Sequence, residues 1–227
     1  MKAHDVSWVL GRPLIGGSAA LTSRLHAYGT DRIPSSGGLV MAFNHFHWID
    51  IPCVGFVCKR HLYFLAKVEA HSVPGLGQLI RTFGTLSVRR GESDREAVRQ
   101  MREVVRAGET LGVFVEGTRQ RSGVPGHVQP GAAMVALQEN VPVICAAIHG
   151  SQTWKLGNFA PVSVAFGEPM RFDGLSRGGK GYREASQQIE DELHRLWAWL
   201  RDLHEAGRPR DAVPPGREDA APATLPA

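Results

Sequence analysis

Three short apolar runs in this chain each stop at a cluster of residues able to do chemistry. Leu39-Val40-Met41-Ala42-Phe43 ends at Asn44-His45, and Leu111-Gly112-Val113-Phe114-Val115 ends at Glu116-Gly117-Thr118-Arg119. Phe83-Gly84-Thr85-Leu86-Ser87-Val88 ends at Arg89-Arg90. Apolar runs this short, bounded by polar turns and separated by helical stretches, read as buried strands. If the sheet is parallel, all three clusters emerge at its carboxyl edge, where open α/β sheets place their sites. The pattern predicts an α/β domain over residues 30–206 with a largely parallel sheet.

The segments between the runs fit that frame. Ser93 and Glu96 form a capping box, followed by Ala97, Val98, Met101, Val104 and Val105 on one helical face, with Gly108 as the stop. Residues 131–140 read as a short helix leading into a strand at Val143–Ile148, and Pro161–Phe166 reads as a further strand. From Tyr182 to Glu205 the residues Ala185, Ile189, Leu193, Leu196, Trp197, Leu200 and Leu203 trace one face of a long helix, which Gly207 ends. Trp197 and Trp199 read as packing residues. Residues 207–227 are rich in Pro, Ala and charge without periodicity, which predicts a disordered tail.

Residues 1–29 form a separate region. After Gly11-Arg12-Pro13, the residues Leu14, Leu21, Leu25 and Tyr28 recur at helical spacing until Gly29. This is either an amphipathic helix lying in a membrane interface, with Arg24 near the headgroups, or a helix packed on its own domain. No stretch is long and apolar enough to span a bilayer, and the start of the chain lacks the features of a signal peptide. Cys53, Cys58 and Cys145 sit in or beside apolar runs, as reduced thiols in packing roles would. The formal net charge of +4 favours anionic partners. The basic residues are scattered among acids without a run that grips a polynucleotide, so nucleic acid is not expected.

The polar clusters suggest one chemistry. An imidazole with a carboxylate neighbour can take a proton from a hydroxyl, because the carboxylate fixes the ring tautomer and stabilises the imidazolium. His45 and Asp50 are five residues apart, so they meet only if His45 precedes the helix that carries Asp50. Gly117-Thr118-Arg119 offers a backbone amide, a hydroxyl and a planar fork suited to phosphate. His45-x-His47 also invites a metal reading, but Asp50 falls one residue late for the hydrolase pattern, and no metal is expected. His149, ending a strand at the same edge, reads as structural.

In their order and spacing, Asn44-His45-x-x-x-x-Asp50, Arg90 closing a strand, Phe114-Val115-Glu116-Gly117-Thr118-Arg119 and Val141-Pro142-Val143 resemble the 1-acylglycerol-3-phosphate acyltransferase family over about residues 30–170. The resemblance implies a glycerol-phosphate acyltransferase-like fold: a single domain with a central, largely parallel mixed sheet flanked by helices. It implies transfer of a fatty acyl group from acyl-CoA or acyl-carrier protein to a lysophospholipid hydroxyl, with no resident cofactor. The expected acceptor is 1-acylglycerol 3-phosphate, giving phosphatidate. The expected partners are the acyl donor, which includes acyl-carrier protein, and an anionic membrane surface. The place of action is the cytoplasmic face of the membrane, as a peripheral or monotopic protein.

By the same resemblance His45 is the general base and Asp50 its orienting carboxylate. Asn44, Arg90, Glu116, Gly117, Thr118 and Arg119 bind substrate, with Arg90 favoured over Arg89 for the acceptor phosphate. Lys67, at the end of Phe64-Leu65-Ala66-Lys67, faces the same cleft or is simply solvated. The family usually has Ser where His47 stands and Pro where Val115 stands, departures that bear on acceptor and acyl-chain preference. Other acceptors (glycerol 3-phosphate or a lyso-aminolipid) and a non-catalytic lipid-binding module are the competing readings.

Overall fold

The computed structural model describes residue 8, residues 11–88 and residues 95–217. Seven strands form one sheet: β1 (His26–Tyr28), β2 (Leu39–Phe43), β3 (Leu62–Lys67), β4 (Leu86–Val88), β5 (Thr110–Phe114), β6 (Val143–His149) and β7 (Ser163–Phe166). The helices are α1 (Gly17–Thr22), α2 (Asp50–Val57), α3 (Val68–Ser72), α4 (Leu76–Thr82), α5 (Arg95–Arg106), α6 (Gly131–Glu139) and α7 (Gly179–Glu205). The strand order is β1-β7-β6-β2-β5-β3-β4. Only the β6–β7 pairing is antiparallel among the named strands, so the sheet is mixed and largely parallel as expected.

β2 lies between β6 and β5 and is buried along its whole length. Burial on both faces explains why it reads as a continuous apolar run instead of an alternating one. Its side chains still divide between two cores. Leu39, Met41 and Phe43 pack with Ile49, Cys53 and Val54 beneath α2, while Val40 and Ala42 face the buried sides of α5, α6 and α7. The helix α5 presents Ala97, Met101, Val104 and Val105 to that second core, and pairs Arg99 with Glu96 and Glu103 on its exposed face. Cys53, Cys58 and Cys145 are buried free thiols, and burial raises the first two to pKa values of about 12 and about 11.

Two boundaries differ from the sequence expectation. The periodic segment through Tyr28 is not one helix: a π-helical turn at Arg12–Gly16 and the short α1 end at Ser23, and His26–Tyr28 then joins the sheet beside β7. The domain therefore begins before residue 30. Leu25 and Tyr28 occupy helical spacing by coincidence with the period of a short edge strand. Trp8 packs its ring against His61, while Ile15 and Leu21 remain exposed at 45% and 77%.

The second difference is the start of the tail. Residues 207–217 pack back onto the domain, with Pro214 buried. Arg32 donates from Nη2 to the Pro214 carbonyl at 2.6 Å and from Nη1 to the Pro215 carbonyl at 3.4 Å. Arg195 reaches the Gly216 and Pro215 carbonyls at 3.2 and 3.3 Å. Two arginines thus satisfy a proline-rich stretch that has no hydrogen-bonding period of its own. Residues 218–227 lie outside the described residues, as do Ser93 of the expected capping box, Arg89 and Arg90. Replacing Arg32 with Ala should accelerate trypsin cleavage after Arg210 severalfold, because the segment loses its anchor while the core keeps its packing. Cleavage at the wild-type rate would show that Arg32 does not hold the segment.

Candidate active site

The end of β2 and the start of α2 bring the predicted pair together. Asp50 opens α2 and is fully buried. Its Oδ2 accepts from Nδ1 of His45 at 2.8 Å and from the backbone N–H groups of Phe46 and His47, each at 2.8 Å. One carboxylate oxygen therefore shapes the turn between strand and helix and orients the imidazole. With Nδ1–H given to Asp50, Nε2 of His45 carries the lone pair, and among the described residues nothing bonds to it. The ring stacks on Phe114 with centroids 4.1 Å apart.

The glutamate loop is tied to the same turn. Glu116 is 5% exposed; its Oε2 accepts from the His45 N–H at 2.7 Å and its Oε1 from the Gly126 N–H at 2.8 Å. The Gln120 N–H returns to the His45 carbonyl at 2.7 Å. Burial is the main cause that pushes the Glu116 carboxyl up to about 7, against the opposing pull of its two backbone donors. Gly117 takes φ +70, a left-handed turn that a side chain disfavours, and this lets the chain double back toward His45.

The predicted substrate-binding residues divide. Thr118 and Arg119 are exposed beside the His45 turn, and Arg119 has no ion-pair partner among the described residues. Its charge reaches His47, whose pKa is lowered chiefly by burial, with Arg119 adding to the effect. Lys67 is exposed at the end of β3, and the pairing of Phe64 with Gly112 puts it level with Val115 at the same edge. Arg90 follows β4 outside the described residues.

Three expectations need correction. Asn44 does not face a substrate: it is fully buried, its Nδ2 donates to the Ile148 carbonyl at 3.0 Å, and its Oδ1 accepts from the Ile148 N–H at 2.7 Å. It joins β2 to β6 just below the site. The Gly117 N–H is engaged by the Phe114 carbonyl at 3.1 Å and is not free for phosphate. Glu116 spends both oxygens on backbone donors, so it acts on the site by holding loops together. His149 faces α7, packing on Trp197 and His204 away from His45.

No motif announced the roles of several contributors. Phe114 belongs to the Phe114–Arg119 motif, yet nothing in that motif announced its ring as the one on which His45 stacks. Gln120 and Gly126 enter through their backbones, which carry no residue-type signal. Trp154, 5% exposed, packs against His47 and Trp48 at ring distances of 5.4 and 5.3 Å from 109 positions beyond His45, so only the fold unites them.

β2 thus ends in a carboxylate-oriented histidine whose backbone is tied to a loop carrying an exposed hydroxyl and an exposed guanidinium. The family model described as Acyltransferase matches residues 24–149, and the chain belongs to that family. It is 24% identical over 153 residues to the 1-acyl-sn-glycerol-3-phosphate acyltransferase of Bacillus subtilis, covering 66% of this chain and 76% of that protein. It is 40% identical over 76 residues to the lyso-ornithine lipid O-acyltransferase of Pseudomonas aeruginosa, covering 33% of this chain and 29% of that protein. The solved structure of the 1-acyl-sn-glycerophosphate acyltransferase PlsC from Thermotoga maritima superposes with a TM-score of 0.69 at 25% identity, covering 84% of this chain and 78% of that one.

Asn44→Ala should lower stability by roughly 2–4 kcal/mol in urea unfolding, because it strands a buried N–H and a buried carbonyl of Ile148. A change below about 0.5 kcal/mol would contradict that role. Glu116 gives a pH signature. Its folded carboxyl keeps its proton to about pH 7, whereas the unfolded one loses it near 4.5. The folded state thus binds more protons between those values, and this group's contribution to stability falls as pH rises through the window, by at most about 3 kcal/mol. Unfolding midpoints of Glu116→Gln and wild type should differ in slope between pH 5 and 7.5, with the Gln variant the flatter.

Proposed function

We propose that the protein transfers a fatty acyl group from an acyl thioester, acyl-CoA or acyl-carrier protein, to the free hydroxyl of 1-acylglycerol 3-phosphate. The observation that carries the reading is the His45 imidazole held through Nδ1 by buried Asp50, with Nε2 unengaged beside the Thr118-Arg119 turn. His45 Nε2 takes the acceptor's hydroxyl proton as that oxygen attacks the thioester carbonyl. The tetrahedral adduct then collapses, the C–S bond breaks, and the leaving thiolate takes the proton from the imidazolium. Asp50 stabilises the cation between the two proton transfers, and no covalent acyl-enzyme is needed.

Arg119 serves as the phosphate ligand because it projects from a loop fixed to the His45 backbone and has no acid partner among the described residues. Lys67 is assigned to the same anion pocket from the end of β3, and Arg90 is assigned to it on its sequence motif alone. Access from a membrane surface is supported by Trp48 and Ile51, which are 53% and 43% exposed beside the histidine turn. No described helix is long and apolar enough to cross a membrane. The proposed setting is the cytoplasmic face of a membrane, entered peripherally.

A second acceptor is favoured by one specific observation. The 40% identity over 76 residues to a lyso-ornithine lipid O-acyltransferase exceeds the 24% shared with the Bacillus enzyme, although over a shorter span. A panel of lysophosphatidate, glycerol 3-phosphate and lyso-ornithine lipid in vesicles, read by release of free CoA, separates the acceptors. Lysophosphatidate should give the highest kcat/KM. His45→Ala should lower transfer by about 10²-fold or more with the fold retained, and Arg119→Ala should act mainly by raising the acceptor KM. A His45→Ala protein within tenfold of wild type would refute the base assignment, and preference for the lyso-aminolipid would replace the acceptor.

A further inference from the structure

A second cationic opening lies on the same edge of the sheet as His45 but at its other end. Ser163 pairs with His26 on one side and with His149 on the other. The start of β1 is therefore level with the end of β6, three strand spacings (roughly 14 Å) from β2. There the end of α1, the start of β1 and the end of α7 surround an open cavity of ≈ 640 Å³, lined by Leu21, Arg24, His26, His204, Arg208 and Arg210 among others.

The charge in this cavity is one-sided. No carboxylate lines it, and among the described residues Arg24, Arg208 and Arg210 have no ion-pair partner. Asp211 follows Arg210 in sequence but is not part of the lining. Burial lowers the pKa of Arg208 and His26, and in both cases neighbouring arginines lower it further. Burial and adjacent cationic groups bring His204 down to about 3.

The arginines are also held there at a cost in backbone conformation. Arg24 at φ 42 and Arg208 at φ 60 are two of the four described non-glycine residues with positive φ, and Phe159 at φ 48 is a third. These three share one network. Arg24 Nε donates to the Phe159 carbonyl at 2.8 Å, and Arg208 Nη2 donates to the Arg24 carbonyl at 2.7 Å. Arg208 Nε reaches Ser163 Oγ at 3.1 Å, and its Nη1 and both Nη groups of Arg24 have no hydrogen-bond partner among the described residues. The lining includes an exposed apolar side chain, Leu21, at 77%. Strain concentrated in residues that gather like charges is characteristic of a ligand site.

We infer that this cavity binds a phosphate ester borne by an amphiphile, as a site separate from the His45 cleft. Two sources share that chemistry: the headgroup of an anionic phospholipid in the membrane, and the phosphates of a soluble acyl donor. The inference does not depend on the reaction at His45, because it is read from binding without turnover.

The test compares the full chain with its Arg210→Glu and Arg24→Asn variants, all on an Arg119→Ala background so that the cleft contributes little. Among the described residues Arg210 has no hydrogen-bond or ion-pair partner that its loss would break, and asparagine tolerates the positive φ at position 24. The probes are phosphatidylcholine vesicles with and without phosphatidylglycerol, by co-sedimentation, and coenzyme A, by calorimetry. Each variant should lose about tenfold in affinity for one phosphate-bearing probe, with binding to pure phosphatidylcholine unchanged. Loss confined to phosphatidylglycerol vesicles assigns the membrane source, and loss confined to coenzyme A assigns the donor. Variants within twofold of the parent on both probes would overturn the site.

Discussion

The site rests on a single carboxylate oxygen. Asp50 Oδ2 receives three N–H donors, two from the backbone of Phe46 and His47 and one from the ring of His45. A fully buried carboxylate is costly unless its acceptor capacity is used; Oδ1 has no hydrogen-bond partner among the described residues, so the offset falls to the three bonds at Oδ2, which also fix the path of the chain from β2 into α2. The imidazole tautomer is thereby a consequence of folding. Because the donors are consecutive with the ring they accompany, the ring cannot rotate away without disturbing the turn that buries Asp50.

Around that turn the protein builds outward with backbone, not with further side-chain chemistry. Glu116 and Gln120 both bond the main chain of His45, one at its N–H and one at its carbonyl. The loop that carries Thr118 and Arg119 is therefore registered to the base through His45 itself. Asn44 does the corresponding work one residue earlier, tying β2 to β6 through Ile148. Under the proposed function, a guanidinium set at a fixed distance from the imidazole gains most from this arrangement, since misplacement of about 1 Å can cost two orders of magnitude in rate.

Much of the central sheet was legible because β2, β5 and β6 are buried on both faces and must be apolar throughout. The His45–Asp50 geometry was legible for a related reason: five-residue spacing can close only across a strand-to-helix junction, and Phe43-Asn44 marks the strand's end. The edges were less readable. β1 has three residues, too few for period two to separate from period 3.6, so Leu25 and Tyr28 passed for a helical face. The 207–217 segment looks unstructured because its order comes from Arg32 and Arg195, both far away in sequence. The same blindness applies to Asn44 and Glu116, whose residue types suit a ligand and a backbone equally well; only burial decides between them.

The two carboxyl groups that flank His45 are held differently. Asp50 offers its oxygen to three donors, whereas the proton affinity of Glu116 is raised first by burial and further by the charge of Asp50. Two buried anions this close repel each other, and a proton on Glu116 relieves that repulsion. The glutamate thus contributes position through its two backbone bonds, while the aspartate orients the ring through Nδ1.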